Sequence, residues 1–405
     1  MQTVPEPLCA VKTEGSYIFL ENGPKLIDAI SSWWTACHGH KHPHIISEIQ
    51  KQLNEMPHVM FGGIIHKQAE RLAERISSLL SEKLNRVFFA DSGSVAVEVA
   101  MKMATQYWGN QGHKKRTRFL SFLNGYHGDT LAAMSVTDPL EGMHAIYGNY
   151  IQKQLYAPLP QNPESIEKFL SLLNSHKDEI AGVIIEPLVQ CAGGMKMHKP
   201  EVLKIIADAV VQAETLLICD EIAVNFGRTG TLFAHTQGGV FPDIICLGKA
   251  LTGGVINLAA TVTTDNVFEK FLSDDPDKAL MHGPTFMATP LACSAANASL
   301  DLFESEPRLM QVRKIEQHLN EQLSILIEQP SVVDVRVKGA IGVVEVHKLH
   351  NLDWLKSEFV KSGIWLRPFR NVIYTMPPLT ATTVEMFAIT NAILDIVPRW
   401  EKLCT

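Results

Sequence analysis

Two apolar runs near the middle of the chain end in side chains that could do chemistry. Residues 216–219 are followed at once by Asp220 and Glu221. Residues 244–247 are followed, after one glycine, by Lys249. Short continuous apolar runs of this kind predict buried parallel strands. Ligands of open α/β sheets bind outside the carboxyl ends of the strands, so we expect the Asp220 carboxylate and the Lys249 amine to face one ligand.

An acid and a lysine placed in this way suit pyridoxal phosphate chemistry. The lysine amine forms a Schiff base with the cofactor aldehyde, and the acid keeps the pyridine nitrogen protonated, so that the ring accepts electrons. Once released, Lys249 would act again as the general base that moves a proton between substrate carbon and cofactor carbon. The alternative is an ordinary ion pair between two strand ends, which these two residues alone do not exclude.

The sequence around this pair resembles the signature of the class III (ω-amino acid) aminotransferases. The resemblance covers Asp-Glu-Ile at 220–222, Phe-Gly-Arg-Thr-Gly at 226–230, Pro-Asp-Ile at 242–244 and Gly-Lys-Ala-Leu-Thr-Gly-Gly at 248–254. Other segments, in family order along the chain, resemble the members of this family that act in biotin synthesis. These segments are residues 31–34, 58–63, 91–98, 125–130, 282–287 and 365–369.

The resemblance implies a fold, a reaction and an assembly. The fold is a fold-type I pyridoxal-phosphate-dependent transferase, an α/β protein with a mainly parallel, doubly wound sheet in a large domain plus a small α+β domain. The predicted ranges are 1–42 for the N-terminal part of the small domain, 43–305 for the large domain and 306–405 for the C-terminal small domain. The reaction is transamination from S-adenosylmethionine to 8-amino-7-oxononanoate, giving 7,8-diaminononanoate, in a homodimer with shared active sites.

Two other functions stay open. One is a different ω-aminotransferase that takes lysine, ornithine or a diamine as donor. The other is a catalytically silent relative with a binding role.

The resemblance also assigns roles to single residues. The predicted catalytic residues are Lys249, Asp220 and Tyr126. Cofactor binding is predicted for Ser92, Gly93, Ser94, Tyr126, Asp220, Lys249, Pro284 and Thr285. Substrate binding is predicted for Trp33, Tyr126, Lys249, Gly283 and Arg367. Tyr126 directly follows a predicted strand and would stack on the pyridine ring, whereas His127 and Asp129 are expected only to shape the loop.

The segment Ser92-Gly93-Ser94 lies where a strand predicted over residues 86–90 turns into a helix that runs to about residue 107. Free backbone N–H groups, two hydroxyls and the positive end of a helix dipole together suit a phosphate. A simple helix N-cap by Ser92 or Ser94 is the alternative. The resemblance further implies that the Gly-Pro-Thr segment at 283–285 reaches the cofactor phosphate of the other subunit.

Arg367 matches the carboxylate-binding position of the family, and both implied substrates carry a carboxylate. A guanidinium holds a carboxylate with two parallel hydrogen bonds, which a lysine cannot do. Pairing with a nearby acid of the small domain is the alternative. The resemblance places Trp33 in the substrate pocket, where its flat ring would wall an aliphatic or adenosyl substrate; the alternative for a tryptophan is the core or an interface.

Several positions depart from the family pattern. His40 stands for a tyrosine and Cys191 for a glycine, and Asn225 replaces a glycine where asparagine tolerates φ > 0. The His-Pro-Tyr-Thr segment of the family, whose tyrosine lines the substrate site, has no counterpart in the opening MQTVPEP. Tyr17 lies in a hairpin predicted over residues 16–30 and is not its equivalent. We expect the missing segment and Asn225 to affect substrate affinity more than cofactor binding.

The alternating histidines at 38, 40, 42 and 44 do not predict a metal site, because Gly39 and Pro43 interrupt any regular element and no acid stands nearby in sequence. Composition excludes further classes. A net charge of -7 argues against a nucleic-acid surface, and no Gly-x-Gly-x-x-Gly or P-loop motif occurs. Seven scattered cysteines, without a signal-peptide stretch or an apolar run of membrane-spanning length, predict a cytoplasmic protein.

Overall fold

The computed structural model describes residues 6–140 and 145–403, so Cys404 lies outside the described residues. Within them the strands are β1 (Ala10–Glu14), β2 (Tyr17–Leu20), β3 (Lys25–Asp28), β4 (Leu84–Ala90), β5 (Arg118–Phe122), β6 (Leu155–Ala157), β7 (Ile180–Ile185), β8 (Val189–Gln190), β9 (Lys196–Met197), β10 (Leu216–Asp220), β11 (Ile244–Leu247), β12 (Ala259–Thr264), β13 (Val332–Lys338), β14 (Ile341–Val346), β15 (Ile364–Trp365) and β16 (Val372–Thr375).

The helices in the same part of the chain flank these strands. They are α1 (Ser31–Trp34), α2 (Pro43–Glu55), α3 (Lys67–Leu79), α4 (Gly93–Asn110), α5 (Leu131–Ser135), α6 (Pro163–Ser175), α7 (Pro200–Gln212), α8 (Asp265–Phe268), α9 (Pro290–Ser305), α10 (Arg308–Leu323), α11 (Leu352–Lys361) and α12 (Thr383–Glu401).

A seven-stranded sheet forms the centre of the molecule, in the order β4-β12-β11-β10-β7-β5-β6. Strand β12 runs antiparallel to both of its neighbours, and the other strands are parallel to one another. All residues of β7, β10 and β11 are buried, because helices cover both faces of the sheet. The predicted mainly parallel sheet is confirmed, whereas β12 was not predicted from the sequence.

The parallel strands determine where the site lies. Helix α4 packs on one face of the sheet, and α7 belongs to the apolar cluster on the other face. The carboxyl ends of β5, β7, β10 and β11 meet at one edge, and the chain leaves β4 at the same edge to enter α4. Tyr126, Glu186, Asp220 and Lys249 follow four of these strands, which is why residues far apart in sequence converge.

Besides the two-stranded sheet of β8 and β9, two smaller sheets lie outside the centre, and one of them joins the two ends of the chain. The predicted hairpin is formed by β2 and β3, and β1, which was not predicted, extends it at the other edge of β2. Strand β3 pairs in parallel with β15, so that Ile27 lies opposite Ile364. Strands β13, β14 and β16 form the other sheet. The N-terminal hairpin is therefore bonded to the C-terminal part, while the domain boundaries at 42 and 305 stay a prediction.

The helix predicted to run to about residue 107 is confirmed as α4, which begins one residue after its N-cap Ser92 and ends at Asn110. Helix α12 begins after Thr382, whose side chain forms a capping box with Glu385. Among the described residues no helix is long and apolar enough to cross a membrane. The described cysteines, from Cys9 to Cys293, are all free thiols.

Candidate active site

A cavity of about 190 Å³ opens at the carboxyl edge of the central sheet. It brings together most of the residues that the sequence predicted to act on a cofactor. Its lining consists of Trp34, Ser92, Gly93, Ser94, Tyr126, His127, Gly128, Glu186, Ala192, Asp220, Ile222, Ala223 and Lys249.

Asp220 ends β10 with a buried carboxylate, whose side chain is held from two directions. One carboxylate oxygen lies 2.8 Å from Nδ1 of His127, and the other accepts a hydrogen bond of 3.1 Å from the backbone N–H of Ile222. His127 is itself 3% exposed, and its backbone N–H donates to Thr137. The expectation that His127 only shapes the loop is incomplete, because its ring also bonds the predicted pyridinium partner.

Lys249 begins the short 3-10 turn after β11 and has a left-handed backbone, with φ of 44°. A non-glycine residue in this region is uncommon and is retained where the surrounding structure imposes it. Its ammonium nitrogen lies 4.5 Å from the centre of the Trp34 ring. Burial lowers the pKa of Lys249, because the charged form loses its hydration in the cavity wall.

Glu186, which directly follows β7, is a site residue that was not singled out from the sequence. Its carboxylate oxygens accept hydrogen bonds from the backbone N–H groups of Tyr126 (2.9 Å) and Cys191 (3.0 Å). Burial raises the pKa of Glu186 to about 7, with His127 acting in the opposite direction. Its position at the end of a buried strand was the available signal.

The N-terminus of α4 forms a tight cradle with the loop after β5. The Ser92 hydroxyl caps the helix by accepting from Val95 N–H (3.3 Å), and the Ser94 hydroxyl accepts from Asp129 N–H (3.0 Å). Gly128 has φ of 128°, and a Cβ there would lie 2.2 Å from Ser94 Oγ. The N-cap alternative is therefore correct for Ser92, and the helix still directs its first N–H groups into the cavity lined by Gly93 and Ser94.

Tyr126 lines the same cavity, as predicted for a residue that faces a flat ring. Its hydroxyl donates to Asp129 Oδ1 over 2.9 Å. Burial and this carboxylate raise the pKa of Tyr126, so the phenol stays protonated at neutral pH. The expectation for Asp129 is thus incomplete, because it also orients the Tyr126 side chain.

The two tryptophans of α1 face different groups. Trp34 is 6% exposed and lines the cavity, whereas Trp33 is 58% exposed and lies outside the cavity lining. The Arg367 guanidinium lies 4.8 Å from the centre of the Trp33 ring. The structure therefore places Trp33 with the predicted carboxylate-binding residue, and it places Trp34, which was not singled out, beside the lysine.

Arg367 is exposed and follows β15. Among the described residues no carboxylate lies within ion-pairing distance of its guanidinium, so the alternative of a pairing with an acid of the small domain does not hold here. Two other arginines near the site are engaged by the backbone. Arg228 donates to the carbonyls of Pro377 and Ala340, and Arg370 donates to the carbonyl of Gly193.

The segment predicted to act on the other subunit lies apart from this cavity. Thr285 and Gly283 are exposed and Pro284 is half-buried, and none of them belongs to the cavity lining that this chain forms. This placement leaves their cofactor and substrate roles as predictions.

The positions that depart from the family pattern all have defined contacts. Nε2 of His40 lies 2.8 Å from the buried Asp28 carboxylate. The Asn225 side chain donates to the carbonyl of Gly248, the residue before Lys249. The residues of this turn with positive φ are Phe226, at 47°, and Gly227, at 87°, so the tolerance of asparagine for φ > 0 is not used at Asn225. Cys191 is fully buried, and burial raises the pKa of its thiol.

The other histidines of residues 38–44 contact separate elements. His38 bonds Ser299 and Arg308, His44 bonds Asp301, and the ring of His42 caps α2. Each ring therefore has its own structural partner.

Comparison with known proteins places this geometry among the aminotransferases. Residues 1–397 match the family described as aminotransferase class-III. The adenosylmethionine-8-amino-7-oxononanoate aminotransferase of Corynebacterium glutamicum is 45% identical over 387 residues, which cover 94% of this chain and 92% of that protein.

Two solved structures share the whole fold. The adenosylmethionine-8-amino-7-oxononanoate aminotransferase of Methanocaldococcus jannaschii superposes with a TM-score of 0.93 at 33% identity, covering 98% of this chain and 94% of the other. An amine transaminase from an uncultivated Pseudomonas species, in its PLP-bound form, superposes with a TM-score of 0.90 at 31% identity, covering 97% and 95%. The likeness extends over the central sheet and both chain ends alike.

Proposed function

The chain belongs to the class III aminotransferases, and from this we propose that it transfers an amino group from S-adenosylmethionine to 8-amino-7-oxononanoate, giving 7,8-diaminononanoate for biotin synthesis. It is a pyridoxal-phosphate-dependent transaminase of fold-type I. The observation that carries the proposal is the convergence of Lys249 and Asp220, from adjacent strands, on one cavity. The names of relatives that match nearly the whole chain support the choice of substrates.

The cavity fits pyridoxal 5′-phosphate on the chemistry of its walls. A helix N-terminus with two hydroxyls suits the phosphate, and Gly128 packs so closely on Ser94 of that N-terminus that a Cβ there would clash with it. Asp220 can accept a hydrogen bond from a protonated ring nitrogen, and Tyr126 offers a ring face. When bound, the cofactor supplies an aldehyde that condenses with amines and a ring that stabilises a carbanion.

Lys249 has the two properties that the chemistry requires of an amine. Its lowered pKa increases the neutral fraction of the amine at neutral pH, and only the neutral amine is a nucleophile and a base. Its position at the sheet edge lets Nζ take a proton from one carbon and return it to another. The Trp34 ring lies 4.5 Å from Nζ and forms an apolar wall beside it.

Asp220 acts by presenting its carboxylate at a fixed position in the cavity. The His127 ring and the Ile222 N–H fix the carboxylate, so that it needs no reorganisation when charge develops on the cofactor ring. His127 therefore acts as a positioning residue through Asp220.

Substrate carboxylates are assigned to Arg367. The guanidinium is exposed, stacks on Trp33 and lacks an acidic partner among the described residues, so it can bind a carboxylate without first breaking an ion pair. Both substrates carry that group, and one arginine can therefore serve both half-reactions.

We further propose a homodimer, in which Gly283, Pro284 and Thr285 complete the site of the partner. Exposed apolar side chains lie next to this segment in the chain and in the loop after α2, and the rings of His58 and Phe286, one from each region, lie 4.7 Å apart. These exposed side chains are Met60, Ile64, Ile65, Met281 and Phe286. Large exposed apolar groups are common at protein interfaces.

The free thiols support a cytoplasmic location.

The test is a donor comparison with purified holoenzyme. S-adenosylmethionine alone should convert the bound cofactor to its amine form, which is followed by absorbance, and 8-amino-7-oxononanoate should convert it back. Lysine, ornithine and a diamine serve as competing donors. Conversion by one of these instead would favour another ω-aminotransferase, and no conversion by any donor would favour a silent relative.

A further inference from the structure

The segment α1 has an unusual backbone. Ser31, Ser32, Trp33 and Trp34 all have positive φ, from 46° to 72°, and none of them is a glycine. At Ser32 and Trp33 the ψ angles of 63° and 46° complete a left-handed turn. Four consecutive left-handed residues are disfavoured by Cβ contacts, so the surrounding structure must hold them.

One buried carboxylate forms hydrogen bonds that stabilise this turn. Asp28, at the end of β3, is 0% exposed. Its Oδ2 accepts from the Ser32 hydroxyl over 2.7 Å and lies 2.8 Å from Nε2 of His40. Its Oδ1 accepts a longer bond, of 3.4 Å, from the backbone N–H of Ile30. Three groups on both sides of the turn thus converge on a single side chain.

The partners of Asp28 are themselves fixed. The backbone of His40 exchanges two hydrogen bonds with Gly15, at 2.6 and 3.0 Å, which ties it to the N-terminal sheet. The Ser31 hydroxyl donates to the carbonyl of Met376 over 2.7 Å. The turn is therefore anchored to both the N-terminal and the C-terminal parts of the chain, and Asp28 is the only acid in that set of contacts.

The left-handed turn determines the directions in which the Trp33 and Trp34 rings point. Consecutive residues of an extended strand point to opposite faces, and those of a right-handed helix diverge by about 100°. Here the left-handed turn sets Trp34 against Lys249 and Trp33 against Arg367. Because both tryptophans belong to the turn, we expect a change in its backbone to move both rings.

We propose that Asp28 is a positioning residue for substrate binding, which acts with Ser32 and His40 to hold the left-handed turn that sets both tryptophans. This inference rests on the proposed function, since it treats Lys249 and Arg367 as the groups that meet the two ends of a substrate. Asp28 does not line the cavity, so it acts through the turn and not by touching the substrate.

The least disruptive variant is Ser32→Ala, which removes one bond to Asp28 from an exposed side chain. Its matched control is Ser175→Ala, which removes an exposed serine bond at the end of α6. Asp28→Asn removes the carboxylate charge, and His40→Phe removes the ring nitrogen that bonds to it. The control for His40→Phe is His44→Phe, which breaks a histidine–aspartate pair of 2.9 Å away from the site.

Two measurements are made on each variant. Hydrogen–deuterium exchange of the peptide covering residues 29–37 reports the turn directly and needs no substrate. We expect faster exchange in the three test variants and no change in the two controls. Steady-state kinetics should show KM for both substrates raised about tenfold, with kcat changed less than about threefold, because the loss of one hydrogen bond to a charged group is passed on to binding.

A double-mutant cycle separates positioning from general destabilisation. In a Trp33→Ala background, Ser32→Ala should add little to the KM for the carboxylate-bearing substrates, because the ring that it positions is gone. Full additivity, or unchanged exchange in Ser32→Ala and Asp28→Asn, would overturn the proposal. If the wild-type enzyme does not react with the proposed substrates, the proposed function fails, while the exchange measurement still decides the role of Asp28.

Discussion

Replacing Arg367 with alanine should weaken both substrates while leaving the fold almost intact. The guanidinium makes no ion pair with a described acid, and it stacks on Trp33, with Cζ 4.8 Å from the ring centre. An exposed stack of this kind contributes about 0.5–1 kcal/mol, so the free energy of unfolding should fall by no more than that. A substrate carboxylate left without its guanidinium partner costs about 2–4 kcal/mol, which is roughly a 30- to 1,000-fold loss of affinity.

Half-reactions measured separately with each substrate, with urea unfolding alongside, decide between these effects. Arg116→Ala is the matched control, because Arg116 also stacks on a tryptophan, with its Cζ 3.9 Å from the ring centre of Trp108, and lies outside the cavity lining. It should lose stability without losing substrate affinity. Arg367→Lys should rescue little, since the fork geometry is lost.

Unchanged affinity of Arg367→Ala for both substrates would refute the assignment and leave Arg367 with a structural role. A defect for one substrate only would mean that another group binds the second carboxylate. Arg370 would then be examined before Arg228, because Arg228 is buried and donates to two carbonyls.

Four further predictions follow from the site. Borohydride reduction of the holoenzyme should place the pyridoxyl label on Lys249, and peptide mapping that finds another lysine would move the active site. Asp220→Asn should lower transamination by orders of magnitude while cofactor is still bound, because the ring nitrogen loses its charged partner; near-normal turnover would remove that role. Gly128→Ala should lower the free energy of unfolding in urea by about 2–5 kcal/mol and weaken cofactor retention, because alanine disfavours the positive φ and its Cβ would overpack against the α4 N-terminus. The control Gly112→Ala, at φ of 89° with nothing in the described structure within 4 Å of an added Cβ, should cost only about 1–2 kcal/mol. Mixing an inactive Lys249→Ala subunit with an inactive Thr285→Ala subunit should restore cofactor-loaded hybrid sites, and a fully active monomer by light scattering would contradict shared sites.

Much of the site could be predicted from the sequence, for a physical reason. Buried parallel strands are short and continuously apolar, so their ends are visible as the points where polar residues begin. Asp220 and Lys249 stand at two such ends, and Ser92 stands at the start of a helix that follows another. Because parallel strands share one carboxyl edge, these positions imply proximity without knowledge of the packing.

What the sequence did not show depends on side-chain direction and on long-range pairing. His127 lies 93 residues from Asp220, and nothing local in its loop indicates that its ring turns inward to the carboxylate. Strand β12 is antiparallel within a parallel sheet, an orientation that follows from how the chain returns after Lys249 and not from the composition of residues 259–264.

The Trp33–Trp34 pair shows most clearly what could not be predicted from the sequence. The resemblance places only Trp33 in the substrate pocket, but the sign of φ decides which of the two rings faces the lysine, and that ring is Trp34. That sign is positive across residues 31–34 because Asp28 and the carbonyl of Met376 bond to the turn, and His40 in turn bonds to Asp28. Local sequence determined which residues could do the chemistry, and only the tertiary structure decided which ring each of them meets, since a strained turn exists only where distant partners hold it.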